Sequence, residues 1–290
     1  MKALSMAAFN DSSFPAGKVV VLGTPAEEGG GGKIDLINAG AFKDIDFAMM
    51  IHPHSDDVLY TVTLGLERCF VRFHGKASHP TVGPLEGISA LDAAVAAYSN
   101  VSQARQHMMP EWRVHGILIN GGTCADVVPE YTLSQYYVRC PKMRDLPIMK
   151  QQLNACFEAA AKSTGCRVEV EWMTRVFLPL DTNRAMANIF GKYSMQDGVI
   201  YGKDPGLIGS SDIGNVSVEL PTIHPKVYIG QKTLIHTRDF QTLAGSPGAQ
   251  YYILRAAKAM AMTCIDLIQN PQLRAEAKQE FEMTHNSNYC

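Results

Sequence analysis

Two adjacent carboxylates, Glu27 and Glu28, end a short apolar run and precede four glycines in Gly23-Thr-Pro-Ala-Glu-Glu-Gly-Gly-Gly-Gly-Lys33. Such a pair can divide labour, one carboxylate holding a cation while its neighbour carries a proton. A solvated acidic turn is the ordinary alternative for two neighbouring glutamates. The position straight after an apolar run and before a pliant backbone favours chemistry. The glycines and Lys33 do not make a phosphate loop. The spacing GxxxxGK[ST] is missing because Ile34 follows Lys33, and two carboxylates would repel phosphate.

His52-Pro-His54 closes the next apolar run, with Asp56 and Asp57 behind it. Imidazole suits zinc and related ions, so His52 is a candidate ligand and His54 an adjacent one. Gly75-Lys-Ala-Ser-His79 carries a further histidine, for which a plain turn position is an equal alternative. Gly209-Ser-Ser-Asp212-Ile-Gly-Asn-Val-Ser217 reads on its own as a polar loop. His236-Thr-Arg-Asp-Phe240 reads as a helix entry capped by Thr237 or Asp239.

The elements that must position these residues follow from periodicity. Met1–Phe9 reads as the last turns of a helix and Asn10–Gly17 as a turn. Lys18–Leu22 and Phe47–Ile51 read as buried parallel strands, with a short helix over Ile34–Ala39 stopped by Gly40. In α/β sheets polar chemistry gathers beyond the carboxyl ends of strands. The pattern then changes. Leu64–Phe73 reads as a strand, Gly87–Val101 as a helix, Trp112–Asn120 and Tyr131–Arg139 as antiparallel strands. Pro147–Ser163 follows as a helix and Cys166–Met173 as a strand. This β-α-β-β-α-β order is that of a ferredoxin-like unit. Beyond Leu180 the reading returns to mixed α/β, with helices over Ala185–Tyr193 and Leu243–Leu267 and a strand within Thr222–Ile229.

Composition narrows the function classes. The 290 residues hold 26 Lys plus Arg against 28 Asp plus Glu, so no positive field speaks for a nucleic-acid partner. No apolar run approaches the roughly 18 residues of a membrane span. The seven cysteines are scattered and form no CxxC pair, which argues against a zinc ribbon or disulfide framework and for a reducing, cytoplasmic setting.

Taken together, GTPAEEGGGGK, IHPHS, GKASH, GSSDIGNVS and IHTRDF, in this order, resemble the aminoacylase and carboxypeptidase-type metallopeptidases, and within them the amidohydrolase branch. The resemblance implies an α/β zinc-aminopeptidase-like catalytic domain, over 1–62 and 179–290, interrupted by a ferredoxin-like lid over 63–178 that dimerises. It implies Glu27 as general base, and Glu28, His52 and His236 as ligands of Zn2+, or of Mn2+ or Co2+. It implies His79 as oxyanion donor and Arg139 as partner of a substrate carboxylate. Where the family has an asparagine near that carboxylate this chain has Asp126, which would repel it. The implied reaction is metal-assisted hydrolysis of an amide in a small dipeptide, β-alanyl or basic, or in an N-acyl amino acid. The family also carries a Gly-His-Asp motif with further ligands before the GTPAEE strand. These 290 residues contain none, so the expectation is an amino-terminally shortened form. The alternative is a catalytically impaired chain that acts only through lid dimerisation.

Overall fold

The computed structural model describes residues 17–202 and 209–289, with side chains as far as Thr284. The expected helix over Met1–Phe9 lies outside the described residues, as does all of the expected turn except Gly17. In chain order the elements are α1 (Gly32–Asn38), β1 (Ala48–Met49), β2 (His52–His54), β3 (Gly65–His74), α2 (Ala90–Ala104), β4 (Arg113–Asn120), β5 (Tyr131–Cys140), α3 (Leu146–Thr164) and β6 (Arg167–Trp172). There follow α4 (Arg184–Gln196), α5 (Ile213–Ser217), β7 (Thr222–Ile223), β8 (Lys226–Tyr228), α6 (Arg238–Ala244), α7 (Pro247–Gln269) and α8 (Pro271–Tyr289). The described residues of Met1–Thr63 and Leu180–Cys290 form one compact unit, and Leu64–Pro179 another.

In the Leu64–Pro179 unit a four-stranded antiparallel sheet runs β4-β5-β3-β6. This is the split β-α-β order that the element sequence leads one to expect. Alternation fixes the register: on β5, Thr132, Ser134, Tyr136, Val138 and Cys140 are buried and the residues between them are half-exposed. The inward face meets a stripe of small residues on α2, Ala90, Ala93, Ala94, Ala97 and Val101, and larger ones on α3, among them Met149, Leu153 and Phe157. The helix read from Gly87 begins only at Ala90. Ser89 caps it by accepting from the Asp92 amide at 3.1 Å, while Ile88 exchanges backbone hydrogen bonds with Lys76.

In the other unit two short parallel pairs stand where buried strands over Phe47–Ile51 and within Thr222–Ile229 are expected. Ala48–Met49 pairs with Thr222–Ile223, and His52–His54 with Lys226–Tyr228. Phe47–Ile51 is only half-buried. Lys18–Leu22 is no strand at all: Val20 is 39% and Val21 71% exposed. An apolar run supplies hydrophobicity, but a strand also needs a ladder partner, and among the described residues none pairs with it. The core here joins Met186, Ala187 and Phe190 of α4 to Ile223, Ala259, Leu267 and Ala277. Asn183 ties two helices, accepting from the Met186 amide at 3.0 Å and donating to the Ala277 carbonyl at 2.8 Å. The single helix expected over Leu243–Leu267 is two. α6 stops at Ala244, and Ser246 then caps α7, whose first residue is Pro247. No helix among the described residues is long and apolar enough to cross a membrane.

Candidate active site

Glu27 and Glu28 occupy a closed turn that leads into α1. The amides of Gly30 and Gly31 both donate to the Ala26 carbonyl, at 2.9 and 2.8 Å. Closure demands glycine, since a Cβ on Gly32 would stand 2.1 Å from the Pro25 carbonyl oxygen. Ala26 is driven to φ 61°, a left-handed conformation that costs an L-residue about 1–2 kcal/mol. Beyond the turn, α1 ends as the sequence predicts. Gly40, at φ 78°, donates to the Ile37 carbonyl and Ala41 to the Leu36 carbonyl, closing a Schellman motif.

Lys33, the first side chain after the glycines, is buried rather than extended to solvent. Its ammonium donates to Asp212 Oδ1 at 2.7 Å and its amide to Asp212 Oδ2 at 3.0 Å. Asp212 has no exposed surface. The segment read as a polar loop is thus the buried entry to a short helix, α5. Its motif carries a signal, an acid among small residues, but nothing in it points to Lys33.

The structure brings Glu28 and His236 together, with Oε2 and Nε2 3.8 Å apart and the side chains 73% and 66% exposed. His236 has φ 62° and stands immediately before Thr237, whose hydroxyl caps α6 by accepting from the Phe240 amide. His52 opens β2. Its Nδ1 is 2.7 Å from the Pro53 carbonyl, an acceptor only, so Nδ1 carries the proton and Nε2 keeps its lone pair in the neutral ring. Burial lowers the pKa of His52, against weaker opposing fields from Glu27 and Glu28. His54 has the opposite polarity. Its Nδ1 accepts from the Asp56 amide at 3.2 Å, which leaves the proton on Nε2. Burial lowers its pKa too.

Among the described residues no group of three His, Cys, Asp or Glu side chains stands ready to hold an ion. The donor chemistry nonetheless fits a divalent cation. Glu28, His52 and His236 offer one carboxylate and two imidazoles, a set that Zn2+ accepts. A ring whose Nδ1–H is tied to a carbonyl is oriented as ligating histidines are.

In the Leu64–Pro179 unit, His79 Nδ1 accepts from the Thr81 and Val82 amides at 3.2 and 3.3 Å, so its Nε2–H is free to donate. Arg139 lies on β5 with a buried Nε that has no partner, and burial lowers its pKa. Asp126 lies on the loop between β4 and β5, where the Cys124 thiol holds its carboxyl below the ordinary range.

His224 escaped the sequence reading. It is 3% exposed, its ring lies 5.7 Å from that of His52, and neither ring nitrogen has a hydrogen-bond partner. Burial, then the nearby His52, Lys33 and Lys226, bring its pKa down to about 3. The only mark in the sequence was a histidine inside an apolar strand.

The model of "Peptidase family M20/M25/M40" matches residues 2–243. The chain is 43% identical over 272 residues to a Xaa-Arg dipeptidase of Mus musculus, covering 92% of this chain and 63% of the relative. It therefore spans about 63% of the length of that curated relative. It is 26% identical over 333 residues to one component of the p-aminobenzoyl-glutamate hydrolase of Escherichia coli, covering 92% of this chain and 67% of that one. A dinuclear metal-binding peptidase of the M20 family from Bacillus subtilis superposes with a TM-score of 0.60 at 14% identity, covering 84% of this chain and 63% of that chain. That last likeness is one of fold.

Proposed function

Since the chain belongs to peptidase family M20/M25/M40, we propose that it hydrolyses the amide bond of a small dipeptide or N-acyl amino acid, with a divalent ion held by Glu28, His52 and His236. The observation that carries this reading is the approach of Glu28 to His236 at 3.8 Å; the His52 ring, with Nδ1 tied to the Pro53 carbonyl, has Nε2 left for ligation. Zn2+, Mn2+ and Co2+ all accept these donors. The chemistry such an ion supplies is polarisation of the scissile carbonyl and a lowered water pKa. Glu27, the neighbour of a ligand, takes the water proton and returns it to the leaving amine. His79 donates from Nε2 to the oxyanion, and Arg139 holds the substrate carboxylate.

Asp126 selects the side chain of the substrate. Its ionised carboxylate suits a guanidinium or ammonium, and the mouse relative is named as an Xaa-Arg dipeptidase. Basic dipeptides are therefore the first substrates to try, with β-alanyl dipeptides next. The Leu64–Pro179 unit acts as a lid and pairs with a second copy through β4, one of the two edge strands, whose Ile117, Leu118 and Ile119 are exposed. Unpaired thiols fit a cytoplasmic protein.

The test is metal stoichiometry coupled to hydrolysis of Xaa-Arg and β-alanyl dipeptides. E28Q should lose the ion. E27Q should keep it and lose turnover by about 10²–10⁴-fold, the range of a general base. Turnover that survives E27Q unchanged would overturn the assignment. Absence of both ion and turnover would leave pairing with a second copy as this chain's role.

A further inference from the structure

We infer that Lys33 and Asp212 are a positioning pair, which holds the Glu27–Glu28 turn in the register that brings Glu28 to His236; this rests on the metallohydrolase reading of that site. Both partners are almost wholly buried, Lys33 at 2% exposure and Asp212 at 0%. Asp212 spends one oxygen on the Lys33 ammonium and the other on the Lys33 amide. The second bond is the informative one. It grips the backbone of the residue that ends the glycine turn, not only a side chain.

The turn is held through its backbone and not through packed side chains. Its ties include the two amide bonds onto the Ala26 carbonyl, and its residues from Gly29 to Gly32 have no side chains to pack. Its carboxylates must nevertheless be held for chemistry, and loosely held groups lose the advantage of orientation. An anchor is needed at the first packed residue beyond the glycines, and Lys33 is that residue.

Global stability does not explain the pair. Exchanging a buried ion pair for well-packed apolar residues is commonly neutral or favourable. Here the apolar work is already done nearby: Ile37 of α1 packs against the cluster of Leu180, Ile213, Val216 and Leu220. That contact docks α1 on α5 one turn further along. The ion pair adds register at the start of the helix, where the glycine turn joins it.

The test compares the unaltered chain with D212N and with K33M/D212L, which removes both charges. Thermal melting reports the global fold, and amide exchange at Gly30 and Gly31 reports the turn. The visible absorption of added Co2+ reports the geometry of the ion's ligands. The expected result is exchange about tenfold faster at Gly30 and Gly31, with amides of β5 unchanged. Co2+ affinity should fall about tenfold with an altered d–d band. If D212N fails to fold because Lys33 is left buried and unpaired, the double variant carries the same expectations. Unchanged exchange in a folded variant would overturn the inference. So would faster exchange with the same Co2+ band and affinity, since the pair would then only stiffen a turn. If the unaltered chain takes no Co2+ while D212N loosens the turn, the metal reading fails and the anchoring of the turn stands.

Discussion

Ala26 and His236 share a backbone conformation that no other non-glycine residue among those described adopts, with φ of 61° and 62°. One precedes Glu27, and the other is the residue that Glu28 approaches. Left-handed strain in L-residues gathers at functional sites, where surrounding structure over-determines it. A26G tests this directly. Strain relief of about 1–2 kcal/mol should exceed the usual Ala-to-Gly entropy cost of about 0.4–1 kcal/mol. The variant should melt at or above the parent temperature, against the ordinary sign of such a change. A clear drop in melting temperature would mean that Ala26 carries no strain.

The two histidines of β2 should separate cleanly in metal binding. His52 presents Nε2 as a lone pair, whereas His54 has its Nδ1 lone pair committed to the Asp56 amide. H52A should weaken Zn2+ binding by more than about 100-fold, since loss of even an outer-shell partner costs about 10–100-fold. H54A should leave affinity within about threefold of the parent, because it removes no ligand. Isothermal titration measures both. Equal losses would dissolve the tautomer distinction.

His224 predicts how stability falls in acid. Its folded pKa is about 3, far below the ordinary value near 6.5. Between those values the unfolded chain binds a proton that the folded chain does not. Stability is therefore fully present above about pH 6.5 and declines as pH falls, by about 1.4 kcal/mol per pH unit from this one residue. Denaturant melts of H224F between pH 7 and 4 should show a shallower slope than the parent. Parallel curves would show that His224 accepts a proton in the fold.

The differences between reading and structure have physical origins. The element order of the Leu64–Pro179 unit was legible because strands such as β5 alternate over many residues, whereas the Ser89 cap that sets the start of α2 was not read. Lys18–Leu22 misled because hydrophobicity alone does not tell whether a partner strand is beside it. The approach of Glu28 to His236 joins two residues that stand out by type, a carboxylate and an imidazole at element ends. The Lys33–Asp212 pair was not legible, because its meaning lies wholly in a contact across 179 positions. His224 was hidden for a related reason: a histidine in an apolar strand says nothing until its ring is found next to His52.

The edge of the four-stranded sheet makes the last prediction. On β4 only Val114 is buried, while Ile117, Leu118 and Ile119 are 62%, 44% and 48% exposed. Successive strand residues point to opposite faces, so both faces of this end of β4 are apolar and uncovered within the unit. Among the described strands β4 pairs only with β5, so its other side is a sheet edge, along which the Val114 carbonyl accepts from Arg105 Nε at 3.0 Å. An edge that is apolar and unpaired is a template for another strand, and an identical β4 from a second copy would satisfy both demands at once. I117K/I119K places two charges there without touching a buried side chain, so the fold should keep its stability to within about 0.5 kcal/mol per site. Sedimentation velocity should give a dimer for the parent chain and a monomer for the variant at equal concentration. A parent chain that sediments as a monomer would end the β4 reading, and a variant that stays dimeric would move the interface to another surface.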